Sequence, residues 1–255
     1  MIVRWAVVTG ASRGIGWAIA ERLSADGYGI VATGRDVNRL DSLAQLISDR
    51  GGQVETRVVD FTSAEEVEVF ALDLVAGNYQ IGALVNNAGF VEVFKYQETP
   101  KRLWKNAFQV NLQSPLQLIH ALNSQMAPGS SIVNVGSILG TRATKSVTPY
   151  VVTKGALHYA TQVLALELSE QGSRVNAVAP GFIATDMFET GHTQDNKERI
   201  ARAHPLGRVG TGAEVAAAVS FLCSAEASFI TGVVLPVDGG LAATMIIPDL
   251  GGAQP

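Results

Sequence analysis

The stretch TGASRGIG, residues 9–16, joins an apolar run at residues 2–10 to a segment with helical periodicity at residues 16–27. A glycine-rich turn that ends a buried strand and begins a helix is typical of folds that bind a dinucleotide. Its spacing is Gly-x-x-x-Gly-x-Gly rather than the more common Gly-x-Gly-x-x-Gly, so the stretch alone is also consistent with a plain glycine turn. The rest of the chain decides between these interpretations.

The glycines of this loop suit a bound diphosphate. Gly10 allows a tight turn, Gly14 lets the backbone approach the ligand, and Gly16 lets the helix pack closely on the sheet. The free N–H groups and the partial positive charge of a helix N-terminus also attract phosphate. We therefore expect the loop to contact a dinucleotide through Gly10, Ser12, Arg13, Gly14, Ile15 and Gly16.

Strand-like and helical segments alternate along the whole chain. The predicted strands lie at residues 2–10, 29–34, 54–60, 83–89, 130–137, 174–180 and 231–240. The predicted helices lie at residues 16–27, 37–52, 63–77, 99–126, 149–171 and 212–224. Alternation of this kind indicates parallel strands joined by right-handed crossovers. The sequence predicts an α/β fold: one Rossmann-type, doubly wound domain over residues 1–255, with a seven-stranded parallel sheet and helices on both faces.

Prolines mark the limits of the longest predicted helix, residues 99–126. Thr99 is the expected N-cap, and Pro100 is the expected first helical residue. Pro115 should kink or split the helix, because proline removes a backbone hydrogen bond from its interior. The pair at residues 128–129, Pro-Gly, is expected to end it.

Two segments do not follow the alternation. Residues 181–211 form a long irregular stretch with a short helix near residues 195–203, and we expect a lid over the substrate, since long loops in compact domains usually have a function. The apolar tail, residues 242–255, either packs on a neighbouring subunit or frays.

Composition excludes several classes of protein. A net charge of −4 and the absence of a basic run argue against a nucleic-acid partner. No apolar run reaches the ~18–20 residues of a membrane span, so no membrane partner is expected. Cys223 is the single cysteine and cannot form an internal disulfide, which favours a packed thiol in a cytoplasmic protein.

The end of the second predicted strand indicates the cofactor. An acidic residue there would bind the adenosine ribose 2′-hydroxyl and select NAD(H). Gly34 holds this place and Arg35 follows it, while Arg13 lies in the glycine loop. Two guanidinium groups favour a 2′-phosphate, so the sequence predicts NADP(H). Asp36 keeps NAD(H) open as the alternative, because a shift of one residue would bring its carboxylate to the acidic position.

Six motifs follow one another along the chain: TGASRGIG, NNAG at residues 86–89, Asn111, Ser137, Tyr150-x-x-x-Lys154 and the Pro-Gly pair at 180–181. Their order and spacing resemble those of the short-chain dehydrogenase/reductase family, and the resemblance extends from about residue 5 to residue 240. Within that family, VNAVAPGFIATDM and FITGVVLPVDGG are most similar to the 3-oxoacyl-[acyl-carrier-protein] reductase branch.

The resemblance implies a catalytic group of Asn111, Ser137, Tyr150 and Lys154. Tyr150 would be the general acid in ketone reduction and the base in alcohol oxidation. Ser137 would hold the substrate oxygen, and Asn111 would position a water that links Lys154 to solvent. Lys154 would bind the nicotinamide ribose and lower the pKa of Tyr150, since an ammonium one helical turn away favours a phenolate over a phenol of pKa about 10. An isolated Tyr-x-x-x-Lys would instead be a surface pair.

The resemblance also implies further cofactor contacts. Residues 87–89 would line the adenosine ribose, and Asp60 would meet the adenine amino group. Residues 180–185 would lie at the nicotinamide, where Ile183 and Thr185 would hold its carboxamide. The implied set is Asp60, Asn87, Ala88, Gly89, Tyr150, Lys154, Pro180, Gly181, Ile183 and Thr185.

The substrate is less sharply indicated. Carrier-protein reductases usually present basic residues before the fifth and sixth strands, but residues 126–131 and 169–173 contain no Lys or Arg. This favours a small ketone or keto ester over a 3-oxoacyl carrier protein. The carrier-protein substrate stays an alternative, together with an NAD-dependent secondary-alcohol or sugar dehydrogenase and, more remotely, an NADP(H)-binding sensor without turnover.

Other polar residues allow two interpretations each. Arg142 and Lys145 precede Tyr150 and would either bind an anionic substrate or be surface charges. His158 would face a subunit contact, while His192 and His204 would either touch the substrate or, as the favoured interpretation, lie in solvent. The four histidines do not have metal-ligand spacing. The resemblance implies a homotetramer or homodimer, with helices 99–126 and 149–171 paired across a two-fold axis.

Overall fold

A parallel sheet of seven strands forms the centre of the protein in the computed structural model, which describes residues 4–77 and 79–244. In chain order the strands are β1 Trp5–Val8, β2 Gly29–Gly34, β3 Val54–Val58, β4 Ile81–Asn86, β5 Met126–Val135, β6 Arg174–Pro180, β7 Ile183–Ala184, β8 Gly210–Thr211 and β9 Val234–Val237. The sheet has the order β3-β2-β1-β4-β5-β6-β9, and every neighbouring pair is parallel. The two short strands β7 and β8 pair with each other. The predicted fold class is confirmed.

Helices cover both faces of the sheet. They are α1 Gly14–Ala25, α2 Val37–Asp49, α3 Ala64–Ala76, α4 Lys101–Phe108, α5 Ser114–Leu122, α6 Thr148–Glu167, α7 Asp186–Gly191, α8 Gln194–Ala203 and α9 Gly212–Cys223. Side chains alternate along a strand, so Val8 packs with α1, α2 and α9 on one face, while Val7 packs with α3, α5 and α6 on the other. Because both faces are covered, the central strands are apolar throughout, as parallel sheets usually are.

The segment predicted as one long helix, residues 99–126, forms three consecutive helical pieces. Pro100 is the N-cap rather than the first helical residue, and the Thr99 hydroxyl donates to the Lys95 carbonyl instead of capping. A π-helical turn, Gln109–Gln113, follows α4, and α5 begins just before Pro115. The missing N–H of this proline is tolerated in the first turn of α5, which is why the chain divides there.

Other boundaries also differ from the prediction. The helix ends at Leu122, so the Pro-Gly pair at 128–129 does not end it but lies within β5. Strand β9 is shorter than the predicted 231–240. Helix α7 and the small β7–β8 sheet are additions to the prediction for 181–211, whereas α8 matches the short helix predicted near 195–203.

The sheet order fixes where a ligand can bind. Strand β1 lies between β2 and β4, so the crossovers leave β1 toward opposite sides. The carboxyl edge at such a reversal is the place where open α/β sheets bind ligands. Most of the predicted tail, residues 242–255, lies beyond Thr244 and so outside the described residues. Among the described residues, no helix combines the length and apolarity needed to cross a bilayer.

Candidate active site

A cavity of about 650 Å³ opens at the carboxyl edge of the sheet, a size within the usual range for small-ligand sites. All predicted catalytic and cofactor-binding residues line it except Asn111. They come from the ends of strands β1 to β6, from β7 and the residue after it, and from the starts of α1 and α6. The structure therefore brings together, in one cavity, residues up to 175 positions apart, from Gly10 to Thr185.

The glycine loop is held by the segment after β4. The Asn87 side-chain N–H groups donate to the carbonyls of Thr9 and Gly10 at 2.8 and 3.0 Å, and the Thr9 hydroxyl accepts from the backbone of Asn87 and Ala88. Gly10 has a φ of 65°, which L side chains rarely adopt. A Cβ at Gly16 would lie 2.2 Å from the Gly10 carbonyl oxygen, so any side chain at residue 16 would clash with the backbone of the loop.

The N-terminus of α1 faces this loop with its N–H groups available. Arg13 is the N-cap residue and its side chain makes no capping bond. The opposite wall is Thr185, whose methyl carbon would be 3.1 Å from a Cβ at Gly14. Thr185 in turn caps α7, since its hydroxyl accepts from the Phe188 N–H at 3.4 Å. The narrow space between loop and α7, with free helix N–H groups, fits a diphosphate.

The end of β2 presents positive rather than negative charge. Gly34 and Arg35 line the cavity together with Arg13. Asp36 is absent from the lining, because its carboxylate caps α2 by accepting from the Arg39 N–H at 3.1 Å. The Arg39 guanidinium bonds in turn to Asp186 of α7 at 2.6 Å. Asp36, the residue that left NAD(H) as the alternative cofactor, therefore caps a helix and does not line the cavity.

Asp60 also lines the cavity, after β3. One of its carboxylate oxygens accepts from the backbone N–H and the hydroxyl of Thr62, both at 2.9 Å. These two bonds fix the orientation of the Asp60 side chain.

Ser137 and Tyr150 meet where β5 ends and α6 begins. Ser137 is buried, and its hydroxyl oxygen accepts from the Leu139 N–H at 3.1 Å, which leaves the O–H to donate. Burial raises the pKa of Tyr150, and hydrogen bonding to the Ser137 side chain partly offsets this by lowering it. The phenol is therefore protonated at neutral pH.

Burial has the largest effect on the pKa of Tyr150 in this structure, and the expected lowering of that pKa by Lys154 stays a prediction. The Lys154 ammonium nitrogen donates to the Val135 carbonyl at 2.7 Å and lies 5.8 Å from the centre of the Tyr150 ring. Burial lowers the pKa of Lys154 itself to about 8. The two burial effects keep Tyr150 as an acid and make Lys154 a group that can give up its proton near neutrality.

Asn111 lies in the π-helical turn, fully buried behind the cavity wall. Its side chain accepts from the Phe90 N–H at 2.7 Å and donates to the Phe90 carbonyl at 2.9 Å and the Thr153 hydroxyl at 3.1 Å. Both amide hydrogens are thus used. A Cβ at Gly89 would be 3.9 Å from the Asn111 side-chain oxygen and 4.0 Å from the Lys154 nitrogen, which places both groups beside Gly89.

The half of the cavity next to Ser137 is apolar, and sequence reasoning missed most of it. Its lining comes from the loops after β4, β5 and β6 and from α7, and consists mainly of Phe90, Val91, Val93, Ile138, Leu139, Val147, Phe182, Met187 and Phe188, with His192 at the rim. Their signal in the sequence is weak: apolar residues just after strand ends, within segments interpreted as loops. Arg142 and Lys145 do not line the cavity, and the Arg142 guanidinium donates to the Ala242 carbonyl.

His158 and His204 differ from the favoured expectations, whereas His192 lines the cavity, as its second interpretation allows. His158 is buried beneath the Ser137 loop rather than at the surface. His204 is also buried, with a ring nitrogen 2.7 Å from the Ile200 carbonyl, and His192 packs against Phe188 at 5.1 Å between ring centres. Within residues 4–77 and 79–244, no group of His, Cys, Asp or Glu side chains is arranged to hold a metal ion.

The chain is similar to proteins of known family. Residues 10–242 match the family described as Enoyl-(Acyl carrier protein) reductase. The 3-oxoacyl-[acyl-carrier-protein] reductase FabG of Chlamydia muridarum is 35% identical over 95% of this chain and 98% of its own. Galactitol 2-dehydrogenase (L-tagatose-forming) of Cereibacter sphaeroides is 36% identical over 92% and 93%. A single-residue variant of the actinorhodin polyketide ketoreductase, crystallised with NADPH, superposes with a TM-score of 0.88 at 29% identity over 96% of this chain and 100% of its own.

Proposed function

Because the chain belongs to the short-chain dehydrogenase/reductase family, an oxidoreductase family that acts on CH–OH groups, we propose that it reduces a ketone to a secondary alcohol with NADP(H). The observation that supports this most is the convergence of Ser137, Tyr150 and Lys154 on the wall of one cavity that also contains the glycine loop. A surface Tyr–Lys pair would not be buried beside a serine.

The residues present fit a dinucleotide. The glycine loop, the uncapped N-terminus of α1 and the arginines at one end suit the diphosphate and the adenosine ribose, and Lys154 lies at the other end. When bound, the nicotinamide supplies the hydride that attacks the carbonyl carbon. The remaining chemistry belongs to the protein.

In the proposed reaction, the hydroxyl of Ser137 donates a hydrogen bond to the carbonyl oxygen and holds it beside Tyr150. The phenol O–H bond of Tyr150 breaks, and its proton goes to that oxygen, which becomes the alcohol. The ammonium of Lys154 stabilises the phenolate that remains. Lys154 then reprotonates it, for which a pKa of about 8 is well suited. We assign Asn111 the role of fixing Phe90 and α6 around this group.

Cofactor choice rests on the end of β2. Gly34 removes the acidic residue that NAD(H) requires, and Arg13 and Arg35 line the cavity where a 2′-phosphate would lie. The similar ketoreductase that was crystallised with NADPH supports the same choice.

The test is the ratio of kcat/KM for NADPH to that for NADH. We expect the ratio to favour NADPH and to fall about tenfold or more in Arg35→Ala, since a charge-assisted pair is lost. Arg22→Ala is the matched control, because Arg22 lies exposed at the opposite end of α1. A preference for NADH, or an unchanged ratio in Arg35→Ala, would refute the assignment.

The apolar wall next to Ser137 favours a neutral ketone, keto ester or 3-oxoacyl compound. A sugar would leave several hydroxyl groups facing Phe90, Ile138, Leu139 and Phe182 without partners, which is costly. We expect oxidation of NADPH with keto esters and acetoacetyl thioesters, and no reduction of NADP+ with galactitol. Polyol oxidation without ketone reduction would overturn the substrate class, and NADPH binding without turnover on the whole panel would favour a sensor.

A second candidate is reduction of 3-oxoacyl groups on acyl carrier protein. The 35% identity to the Chlamydia reductase over nearly both chains favours it. The comparison that separates the two is acetoacetyl-carrier protein against acetoacetyl-N-acetylcysteamine. A kcat/KM at least about tenfold higher for the carrier protein would show that the protein surface is recognised. Equal values would leave the small ketone as the substrate.

We also propose that two copies pair along α6. Val152, Tyr159, Val163 and Leu166 are exposed on this helix, and their spacing places them along one side of it. A continuous apolar stripe on an exposed helix is typical of an interface.

A further inference from the structure

The buried imidazole of His158 lies between the two proposed catalytic segments. Tyr150, Lys154 and His158 are spaced four residues apart on α6, so they follow one another along the same side of the helix. The first two line the cavity, and His158 lies beneath its floor, 5% exposed. The proposed function gives the third member of this Tyr-x-x-x-Lys-x-x-x-His series no role.

His158 contacts the backbone of the segment that contains Ser137. Its Nε2 accepts from the Ser137 N–H at 3.4 Å, a long hydrogen bond. A Cβ at Gly136 would be 2.1 Å from this Nε2, and a Cβ at Gly140 would be 2.6 Å from the ring Cε1. The imidazole therefore occupies the space on both sides of Ser137 that side chains at 136 and 140 would need.

This arrangement costs stability. With Nε2 as acceptor, the proton lies on Nδ1, which is buried and has no hydrogen-bond partner among the described residues. A buried donor left unpaired destabilises the folded state. Burial and the nearby Lys154 charge lower the pKa of His158 to about 4, so the ring is neutral. A leucine would fill a similar volume without that cost, which suggests that the acceptor at Nε2 has a function.

We propose that His158 is a positioning residue for Ser137: its ring supports residues 136–140 from below and fixes the serine hydroxyl at the place where the substrate oxygen binds. The remaining contacts of this segment agree with that role. Gly136 donates to the Val178 carbonyl at 2.8 Å, and the Gly140 N–H donates to the Ser137 carbonyl at 2.9 Å. Those bonds fix both ends of the segment, while His158 supplies the contact at its centre. The inference rests on the proposed function of Ser137.

The first experiment compares His158→Leu and His158→Gln with the unaltered enzyme in acetoacetyl ester reduction with NADPH. In His158→Leu we expect kcat to fall at least about tenfold with the KM for NADPH unchanged, because only the serine is displaced. In His158→Gln, whose side-chain oxygen can accept from the Ser137 N–H, at least part of the loss should be recovered. His120→Leu, the same substitution at an exposed histidine of α5, should retain full kcat.

A readout independent of turnover is amide hydrogen exchange in the peptide covering residues 136–140. We expect faster exchange there in His158→Leu, at an unchanged or higher Tm, and slower exchange again in His158→Gln. A variant that is merely destabilised would show faster exchange throughout and a lower Tm. Unchanged exchange at 136–140 in both variants would overturn the proposal, and so would a kcat for His158→Leu within about twofold of the original.

Ser137→Ala, alone and combined with His158→Leu, separates this inference from the proposed function. If Ser137→Ala reduces ketones at the original rate, the proposed function of Ser137 fails and the inference fails with it. If Ser137→Ala is slow but His158→Leu is not, only the inference fails. If both are slow, His158→Leu should cost little more in the Ser137→Ala background, since residues that act as one unit are not additive. Fully additive losses would contradict a role exerted through Ser137.

Discussion

Tyr150 and Lys154 show how burial alone can prepare a site for proton transfer. Burial raises the pKa of the phenol and lowers that of the ammonium to about 8, so the phenol keeps its proton while the ammonium can release one near neutrality. The spacing of the two residues predicts that they share a helix face, but it cannot predict which effect dominates, burial or mutual attraction. That depends on how deeply α6 packs, which only the fold determines.

Replacing Tyr150 by Phe removes the proposed proton donor and keeps the ring. We expect kcat for ketone reduction to fall about 10²–10⁴-fold, the usual contribution of a positioned general acid. NADPH binding, measured by quenching of tryptophan fluorescence, should change little. Tyr96→Phe is the matched control, because Tyr96 is exposed and does not line the cavity. Turnover by Tyr150→Phe at the original rate would contradict the proposed mechanism.

His158 should also govern stability in mild acid. Its pKa in the folded protein is about 4, below the ordinary value of 6.5, so the unfolded chain takes up the proton first as pH falls. The free energy of unfolding is therefore fully retained above about pH 6.5 and decreases toward pH 4, by about 3 kcal/mol from this residue. Urea unfolding at several pH values should show a shallower decrease in His158→Leu. If the free energy of unfolding falls with pH equally steeply in His158→Leu and in the unaltered protein, His158 does not take up a proton on unfolding.

At the scale of elements, α7 is the helix of 181–211 whose residues line the cavity. Helix α7 is capped by Thr185 and connected to α2 by the ion pair between Arg39 and Asp186. Both side chains are about half exposed, so solvent screens the pair and its contribution to stability is small. A weak contact of this kind suits the predicted lid, which would have to open to admit substrate.

Breaking that ion pair should loosen α7. In Asp186→Asn and in Arg39→Ala, we expect amide exchange in residues 186–203 to become up to about fivefold faster, because opening loses the attraction of one exposed pair. Asp41→Asn, at an exposed acidic residue of α2, should leave exchange as it was. A change in only one of the two partner variants would show that the ion pair is not what connects the lid to α2.

The elements themselves are largely predictable, and the errors have physical causes. Buried strands such as β2 and β6 lie where the apolar runs are, because a strand covered on both faces must be apolar along its whole length. The π-helical turn is missed because its signal is the tertiary contact of Asn111 with Phe90, not a local preference. Strand β7 is two residues long and forms only because β8 lies beside it.

At the scale of the whole molecule, the sequence predicts which residues share the cavity but not how its apolar half is built. The glycine loop, Ser137 and Tyr150 have distinctive spacing, and a parallel sheet brings strand ends to one edge. Phe90 and Leu139 have no such pattern, since any apolar residue after a strand could face the core instead. Cys223, predicted to be packed, is buried, and burial raises the pKa of its thiol to about 12.

The stripe on α6 makes the proposed pairing testable. Leu166→Glu places a charge in the stripe, and we expect a smaller species in sedimentation velocity at equal protein concentration, because an unpaired buried charge opposes association. Glu167→Gln, next to it on α6, is the control. If Leu166→Glu sediments like the original protein, copies do not meet along this helix.

The bonds from Asn87 to Thr9 and Gly10 have a consequence for synthesis on the ribosome. The glycine loop is translated early. Its carbonyls are bonded by the side chain of Asn87, which follows β4 in the chain. Strand β1 can therefore pair with β4, and the loop can take its folded shape, only after most of the first third of the chain has been translated. Non-local pairing of this kind is slow. A nascent chain that stops short of Asn87 would therefore carry a complete nucleotide-binding motif without its shape, and the coenzyme could stabilise the protein only after the middle of the sheet had assembled.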